Sequence, residues 1–456
     1  MELRKLVRIT LVSILVLIPY LACMKDFNVP PGTTKMCDFG GVYFGSRCVM
    51  KHLDPYDPVV ALKDFRAEGG RIEGDDRGAE VTREVFTVGV NLPTTLFLVA
   101  PIALLSWNFA QIVWLTLIAL GMGLAAMAMW DLGAEYAPWI TGILVCLILV
   151  NSAAPYLVGN LATIVVSCCA LAMWCFSKGR WEVAGVVLLG VALVLKPHDA
   201  GLIWLYMLVA GGLMRKRALQ SLGLAAVLGV ASLAWIHSAS PHWMGEMSTN
   251  HEAVGERGRN SDPGPSGPSA AAIGQIIDLQ AALSIYRDDP GFYNPVSYVV
   301  AGIPLLIWLL AIWKGPSTEG VDWVALAPAV ILVLLPVYHR NYDARLMMLL
   351  IPTCAKLWVE GGVRRWVATG LTLAALVTTG DLWIIFIPRT THGLYLYLNQ
   401  LIGEELATIL LYRTAVPVLL VTGSYYVWVY VLRQMKASKS GWSGSALSVP
   451  GVAAQQ

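Results

Sequence analysis

ITLVSILVLIPYLAC, residues 9–23, decides how the rest of the chain is read. Preceded by Arg4, Lys5 and Arg8, this apolar run has the form of a secretory signal until the segments behind it are counted. About a dozen further apolar blocks follow, each near the roughly 20 residues needed to cross about 30 Å of hydrocarbon. The run is therefore read as an uncleaved first span with the N-terminus inside. Tyr20-Leu21-Ala22-Cys23 has the Cys of a lipoprotein cleavage site but not the Leu three residues before it. Composition agrees with a membrane chain: of 456 residues, 57% are hydrophobic and 14% charged, against about 25% charged in an average soluble protein. Backbone groups in lipid are satisfied only in helices or closed barrels, and the alternating strands of a barrel are absent, so the expected fold is an all-α polytopic membrane protein. A net charge of +2 without a basic, aromatic-laced patch gives no reason to expect nucleic acid as a partner.

Outward from the first span, further spans are predicted at 88–106 and 109–130, at 138–152 and 156–176 around the break NSAAPYLVGN (151–160), and as a short pair, 183–195 and 200–214. That pair meets at Lys196-Pro197-His198-Asp199. Lys178 and Arg180, Arg215 to Arg217, Lys314, Arg364 with Arg365, and the tail from Arg433 mark inside turns. The alternation then places 24–87, the Lys196 tetrad, 238–291 and Tyr338 to Arg345 outside. One crossing is left over, so a segment within 131–160 is expected to enter and leave on one side, giving about twelve full spans. The expected organisation is a membrane domain over 1–432 and a disordered cytoplasmic tail over 433–456. Within the domain, 24–87 is the first extracytoplasmic loop, where Lys63 to Glu84 suggests surface helices, and 238–291 is a mobile one containing RNSDPGPSGPS (259–269). Ile273 to Tyr286 and Leu394 to Leu410 read as helices lying in the membrane interface.

The first loop carries CDFGGVYFGSRCVMKHLDPYDP (37–58), with Asp38, Asp54 and Asp57 gathered beside Tyr43 and Tyr56. Cys146, Cys168, Cys169, Cys175 and Cys354 lie in apolar runs and read as buried thiols, whereas Cys37 and Cys48 share the outer loop, where a disulfide is chemically permitted. The outer face thus collects Asp38, Asp54, Asp57, Asn160, Lys196 to Asp199, and His339-Arg340-Asn341-Tyr342-Asp343-Ala344-Arg345. Ionisable groups are costly near hydrocarbon, so both signs at one face imply mutual pairing, water or a polar ligand.

A carboxylate at such a site can take the proton of an attacking hydroxyl. Arg and Lys opposite can neutralise a departing phosphate, Arg as a bidentate fork and Lys as a point charge. These are the two requirements of glycosyl transfer from a lipid-linked sugar phosphate, and they call for no metal and no cofactor. Simpler readings stand beside this one. Asp54-Pro-Tyr-Asp57-Pro is also a plain turn sequence, Lys196 and Arg345 suit snorkelling at helix ends, and His339 suits interfacial decoration.

The order of these segments resembles glycosyltransferase family 87 of the GT-C superfamily, over roughly Asp38 to Pro352. The resemblance rests on CDFGGVYFGSRC and LDPYDP, NLPTTLFLVAPIALLSWNFAQIVW, NSAAPYLVGN, GRWEVAGVVLLGVALVLKPHDAG and VYHRNYDARLMMLLIP. It implies a GT-C-like bundle in the cytoplasmic (inner) membrane, both termini cytoplasmic, that transfers a hexose, expected to be mannose, with inversion. The donor would be a polyprenyl-phosphate-linked sugar and the acceptor a lipid or glycan on the extracytoplasmic face, with membrane lipids the remaining partners. By the family motif the catalytic base maps to Asp38, with Asp57 and Asp54 as substitutes and Tyr43 displaced by the extra Gly of FGGVY. His339 and Arg340 map near the carrier phosphate, and Gly159-Asn160 fits the family's Gly-Gln or Gly-Asn. Tyr56, Lys196, His198 and Arg345 complete the expected binding set. The competing readings are a transporter or flippase of lipid-linked saccharides, which would show repeated halves and midplane charges, a lipid-linked glycan ligase or polymerase, and a membrane scaffold.

Overall fold

The computed structural model describes residues 2–25, 31–33, 35–72, 77–267 and 275–440. Among these the protein is helical, with a single isolated β-bridge, between Ile276 and Arg340. Six helices are long and apolar enough to cross a membrane, including Lys5–Met24, Trp107–Ala134, Pro138–Val158, Gly212–Ala239, Pro290–Trp313 and Ala415–Ala437. Four more, Pro93–Ala103, Ala162–Lys178, Glu182–Leu195 and Trp323–Leu332, are apolar but shorter. The chain is an all-α membrane protein.

The first helix, α1 (Glu2–Met24), runs unbroken through Pro19 and lies on α6 (Trp107–Ala134). Next come α2 (Cys37–Met50), α3 (Pro58–Ala67) and α4 (Arg77–Thr87), so the acidic stretch at 37–58 is mostly helix. Phe39, Tyr43 and Phe44 turn one face of α2 onto Trp107, Trp114, Phe65 and Phe86, which anchors this small layer to the bundle. The span expected at 88–106 shrinks to α5 (Pro93–Ala103), eleven residues and about 16 Å of rise, well short of the hydrocarbon thickness. Proline at 93 disfavours helical backbone in the residue before it, which sets this late start.

Beyond α6, the segment 131–160 forms α7 (Pro138–Val150) and the single turn α8 (Ala154–Val158), interrupted at Asn151. Then come α9 (Ala162–Lys178), α10 (Glu182–Leu195), α11 (Pro197–Ala210), α12 (Gly212–Ala239) and α13 (Trp243–Gly255). At the centre, all ten residues of Trp323–Leu332 and all eight of the 3-10 helix Asp343–Leu350 are buried. A helix apolar all round is stable only when enclosed. The 3-10 helix packs on Trp323–Leu332, α9 and α7, and continues into Ile351–Glu360, where Pro352 supplies no amide hydrogen to tighten the junction.

Several expected segments take a different form in the structure. The stretch 238–291, expected to be mobile, contains α13 and a tight loop at 258–267. In that loop buried Asp262 accepts hydrogen bonds from the amides of Gly258 (2.7 Å) and Gly264 (2.8 Å). The helix expected over Ile273 to Tyr286 is shorter, Leu279–Tyr286, and buries Leu279, Ala281, Ala282 and Ser284 instead of lying at the interface; residues 273 and 274 lie outside the described residues. The tail does not begin at 433, because the last helix continues to Ser440, and 441–456 lie outside the described residues. Leu394 to Leu410 is broken at Gly403, with φ of 88°, into His392–Ile402 and Glu404–Tyr412, which pack on each other. His392–Ile402 buries no residue and exposes Leu394, Leu396, Tyr397 and Leu401, as suits an interfacial position. Cys37 and Cys48 are both free and lie eleven residues apart on one helix, a rise of about 16 Å, beyond the reach of a disulfide.

Candidate active site

Asp38 lies in the first turn of α2, where the helix dipole favours a carboxylate. The turn is anchored by Met36, in left-handed conformation (φ 56°), whose amide donates to Leu157 O at 2.8 Å. Asn160 donates from Nδ2 to Asp38 Oδ2 at 2.6 Å, while its Oδ1 accepts the amide of Ala162 at 2.7 Å. That second bond fixes which way the amide points, because only its oxygen can accept from a backbone N–H. The Asn is positioned by Gly159, with φ of 69° and a carbonyl accepting Trp114 Nε1 at 2.8 Å. A Cβ at 159 would lie 2.9 Å from Phe39 Cβ, so the approach of α2 to this turn needs glycine. Asp38 Oδ1 meets the thiol of Cys37 at 3.6 Å, a weak donor that leaves it able to accept a proton.

The opposite wall is residues 338–343, held in register by a short backbone ladder. Ile277 N donates to His339 O (3.0 Å) and Asn341 N to Gln275 O (2.9 Å). Arg340 then fans across the cleft: its Nη2 donates to Asn260 O (3.0 Å) and Oδ1 (2.8 Å), and its Nε to Tyr338 Oη. Asp38 is near enough to interact electrostatically with this guanidinium. Tyr342 lies close by, its phenol pushed well up by burial and then by the charge of Asp38. Asp343 links the two basic groups, accepting the Arg340 amide at Oδ2 (2.8 Å) and Lys196 Nζ at Oδ1. Lys196, between α10 and α11, also pairs with Asp199 (3.1 Å) and faces the Tyr342 ring, 5.7 Å from its centroid. Asp199 in turn faces His339 and His198, the three donor atoms lying within 4.8 Å of one another. Asp278, at the foot of the ladder, accepts the amides of Ala281 (2.9 Å) and His339 (3.3 Å), and burial raises its carboxyl to about 6.

An apolar cavity of about 390 Å³ opens beside this cleft, between α1, α6, α8 and the helix Asp381–Thr390. Pro19, Ala22, Leu115, Leu157 and Ile384 form its walls. Met36 and Asn341 line it too, two residues from Asp38 and one from Arg340 respectively. Buried Gln111 Nε2 and Tyr156 Oη also belong to lining residues, and neither has a hydrogen-bond partner.

Asp38, Asn160, Lys196, His198, His339 and Arg340 are thus brought to one cleft. The other candidates have local contacts instead. Asp57 caps α3 through Val59 N (2.8 Å) and Val60 N (3.3 Å), and Asp54 accepts Tyr56 N (2.8 Å). Tyr43 donates its hydroxyl to Leu105 O (2.7 Å) and Tyr56 to Asn91 O (2.8 Å), both from buried rings. Arg345 is buried against Asp381 (3.2 Å), which also bonds Asn341 and the amides of Ala153 and Ala154. These contacts match the turn reading of LDPYDP and give Arg345 a structural partner. Tyr338, Tyr342, Asp199 and Asp343 join the cleft from stretches already marked by their charge, whereas Asn260 comes from a Gly/Pro-rich loop with no signal for it.

No family model matches the chain, and neither the curated proteins nor the solved structures include a match to it.

Proposed function

We propose that this chain is a GT-C-type membrane glycosyltransferase, resembling family 87, that moves a hexose, mannose in the first instance, from a polyprenyl-phosphate carrier to a lipid or glycan acceptor. In this reading the six long helices and the shorter apolar ones supply about twelve crossings of the cytoplasmic membrane. The cleft faces the extracytoplasmic side and both termini the cytoplasm. The single observation that carries the reading is the opposition, in one cleft, of Asp38, held by Asn160 with one oxygen open, and the basic group Arg340–Lys196. The adjoining apolar cavity suits the lipid end of a carrier.

In the reaction, the acceptor oxygen attacks the anomeric carbon from the face opposite the phosphate. Its proton passes to Asp38 Oδ1, the bond from the anomeric carbon to the phosphate oxygen breaks, and the bond pair leaves with the polyprenyl phosphate. The new negative charge develops beside Arg340 and Lys196, whose hydrogen bonds to Asn260, Tyr338 and Asp343 hold them in place beforehand, so little reorganisation is needed as charge moves.

The test is a membrane assay with labelled polyprenyl-phosphate-mannose. Asp38→Asn should abolish transfer while the purified protein stays folded and binds the carrier. Full transfer by Asp38→Asn, with loss in Asp57→Asn, would move the base to Asp57. Translocation of an intact lipid-linked sugar without a new glycosidic bond would replace the enzyme by a transporter.

A further inference from the structure

We propose that His198, Asp199 and His339 form a binding site for a divalent transition-series cation, with zinc as the probe that suits it best. The geometry turns on one oxygen. Asp199 Oδ1 lies 3.2 Å from His339 Nε2 and 3.8 Å from His198 Nε2, while Oδ2 is left to Lys196 Nζ at 3.1 Å. His339 Nδ1 lies 2.8 Å from the carbonyl of Val337. A carbonyl only accepts, so a hydrogen sits on Nδ1, and Nε2 is the nitrogen left facing the carboxylate, able to offer its lone pair to a cation held between them. This is the outer hydrogen bond that orients metal-binding imidazoles.

His339 and Asp199 are both fully buried, and His339 Nε2 and the two Asp199 oxygens have no geometrically sound hydrogen bond. A single proton between Oδ1 and the His339 ring would leave the exposed His198 ring to water. One cation satisfies all three. Bonds of about 2.1 Å in tetrahedral arrangement put ligand atoms about 3.4 Å apart, which the two oxygen–nitrogen separations of 3.2 and 3.8 Å bracket, while the two nitrogens lie within 4.8 Å of each other. Two nitrogens and one carboxylate oxygen suit zinc, cobalt or iron(II) better than magnesium. His198 is 44% exposed, so the site opens on that side and keeps a position for water or an anionic oxygen. Lys196 is no bar, because it is neutralised through Asp343 and approaches the other Asp199 oxygen.

The inference stands whether or not the chain transfers sugars. If it does, the cation adds charge on the side of the cleft where the leaving phosphate is placed.

The experiment uses the full chain in detergent, its affinity tag removed, stripped with a chelator and then titrated with Zn2+, Co2+ or Mg2+. Bound metal is measured by mass spectrometry and the cobalt ligand field by visible absorption. One equivalent of zinc or cobalt and no magnesium is expected, with a cobalt spectrum of nitrogen and oxygen donors. His198→Ala, at the exposed ring, should weaken zinc binding by more than the about 10- to 100-fold that loss of an outer hydrogen-bond partner costs, in protein that stays monodisperse. Asp199→Asn, close to isosteric, serves as the second variant and should weaken it likewise. Background metal in the wild type, or undiminished binding in both variants, would leave only an imidazolium–carboxylate pair and overturn the site.

Discussion

Asn160 offers the sharpest test of the proposed chemistry, because its two side-chain atoms have separate tasks. Nδ2 bonds Asp38 at 2.6 Å, and Oδ1 caps the start of α9 through Ala162 N at 2.7 Å. Asn160→Ala removes both. The lost bond to a charged acceptor is worth about 1.5–3 kcal/mol, and at about 1.36 kcal/mol per tenfold transfer should fall about 10- to 150-fold. The lost cap costs about 1 kcal/mol of stability. Asn160→Asp separates the two effects. A carboxylate there still accepts the Ala162 amide, so thermal stability should be kept, but it sets a second acid against Asp38. Two carboxylates so close share one proton, and the pair's higher titration lies above the ordinary carboxylate range. A base must be ionised to act, so the rising limb of the pH–rate profile should move to higher pH and the rate at neutral pH should fall. The assay is transfer of labelled mannose across a pH series, beside thermal unfolding of the same protein. Wild-type rate and an unshifted profile in Asn160→Asp would show that Asp38 is not the base.

Further expectations concern stability, docking and the cavity. Asp381→Ala leaves the Arg345 guanidinium buried without its carboxylate and frees the amides of Ala153 and Ala154. It should cost about 3–5 kcal/mol in denaturant titrations, more than Arg345→Met, after which Asp381 keeps its three other bonds. Helix α13 docks on the first loop through Asn250, which donates to Tyr56 O and Gly89 O, both at 2.9 Å. Near that contact Glu246 is shifted upward by partial burial and then by its bond to Asp54. With a raised folded value, this contribution is present at low pH and lost as pH rises through it. Hydrogen exchange in α13 should accordingly speed up with pH beyond its intrinsic rate, and Glu246→Gln should flatten that excess. Ala22→Trp projects into the apolar cavity and should raise KM for a long-chain carrier while sparing a short-chain analogue; equal effects on both would separate the cavity from the lipid.

Much of this arrangement is legible in the residues themselves, and what is not has identifiable causes. Apolar blocks mark the helices because hydrocarbon imposes them, and the basic turns around α10 and α11 suffice to bring Lys196 to the same face as Arg340. The 3-10 geometry of Asp343–Leu350 has no such signal, since an apolar run reads alike in either helix. The turn at 258–267 closes on Asp262 through two amide hydrogen bonds, which composition cannot register. The acids of LDPYDP and the hydroxyls of Tyr43 and Tyr56 have the chemistry of ligand contacts, but neighbouring backbone groups use it locally. Asn160 stands out because a polar side chain at a helix break needs a partner, and Asp38 is that partner.

The wholly buried core beneath Asp343 divides the cleft mechanically. Lys196, Arg340 and Asp343 are bonded at the edge of the enclosed 3-10 helix, whose amides should exchange with solvent only on global unfolding. Asp38 rides on α2, in a thin outer layer with α3 and α4. The cationic wall is set in the enclosed core, whereas the acid sits on a layer fastened by aromatic contacts and by Asn160, so a substitution that loosens Phe39 from Trp107 and Trp114 should displace the acid and leave the cations in place.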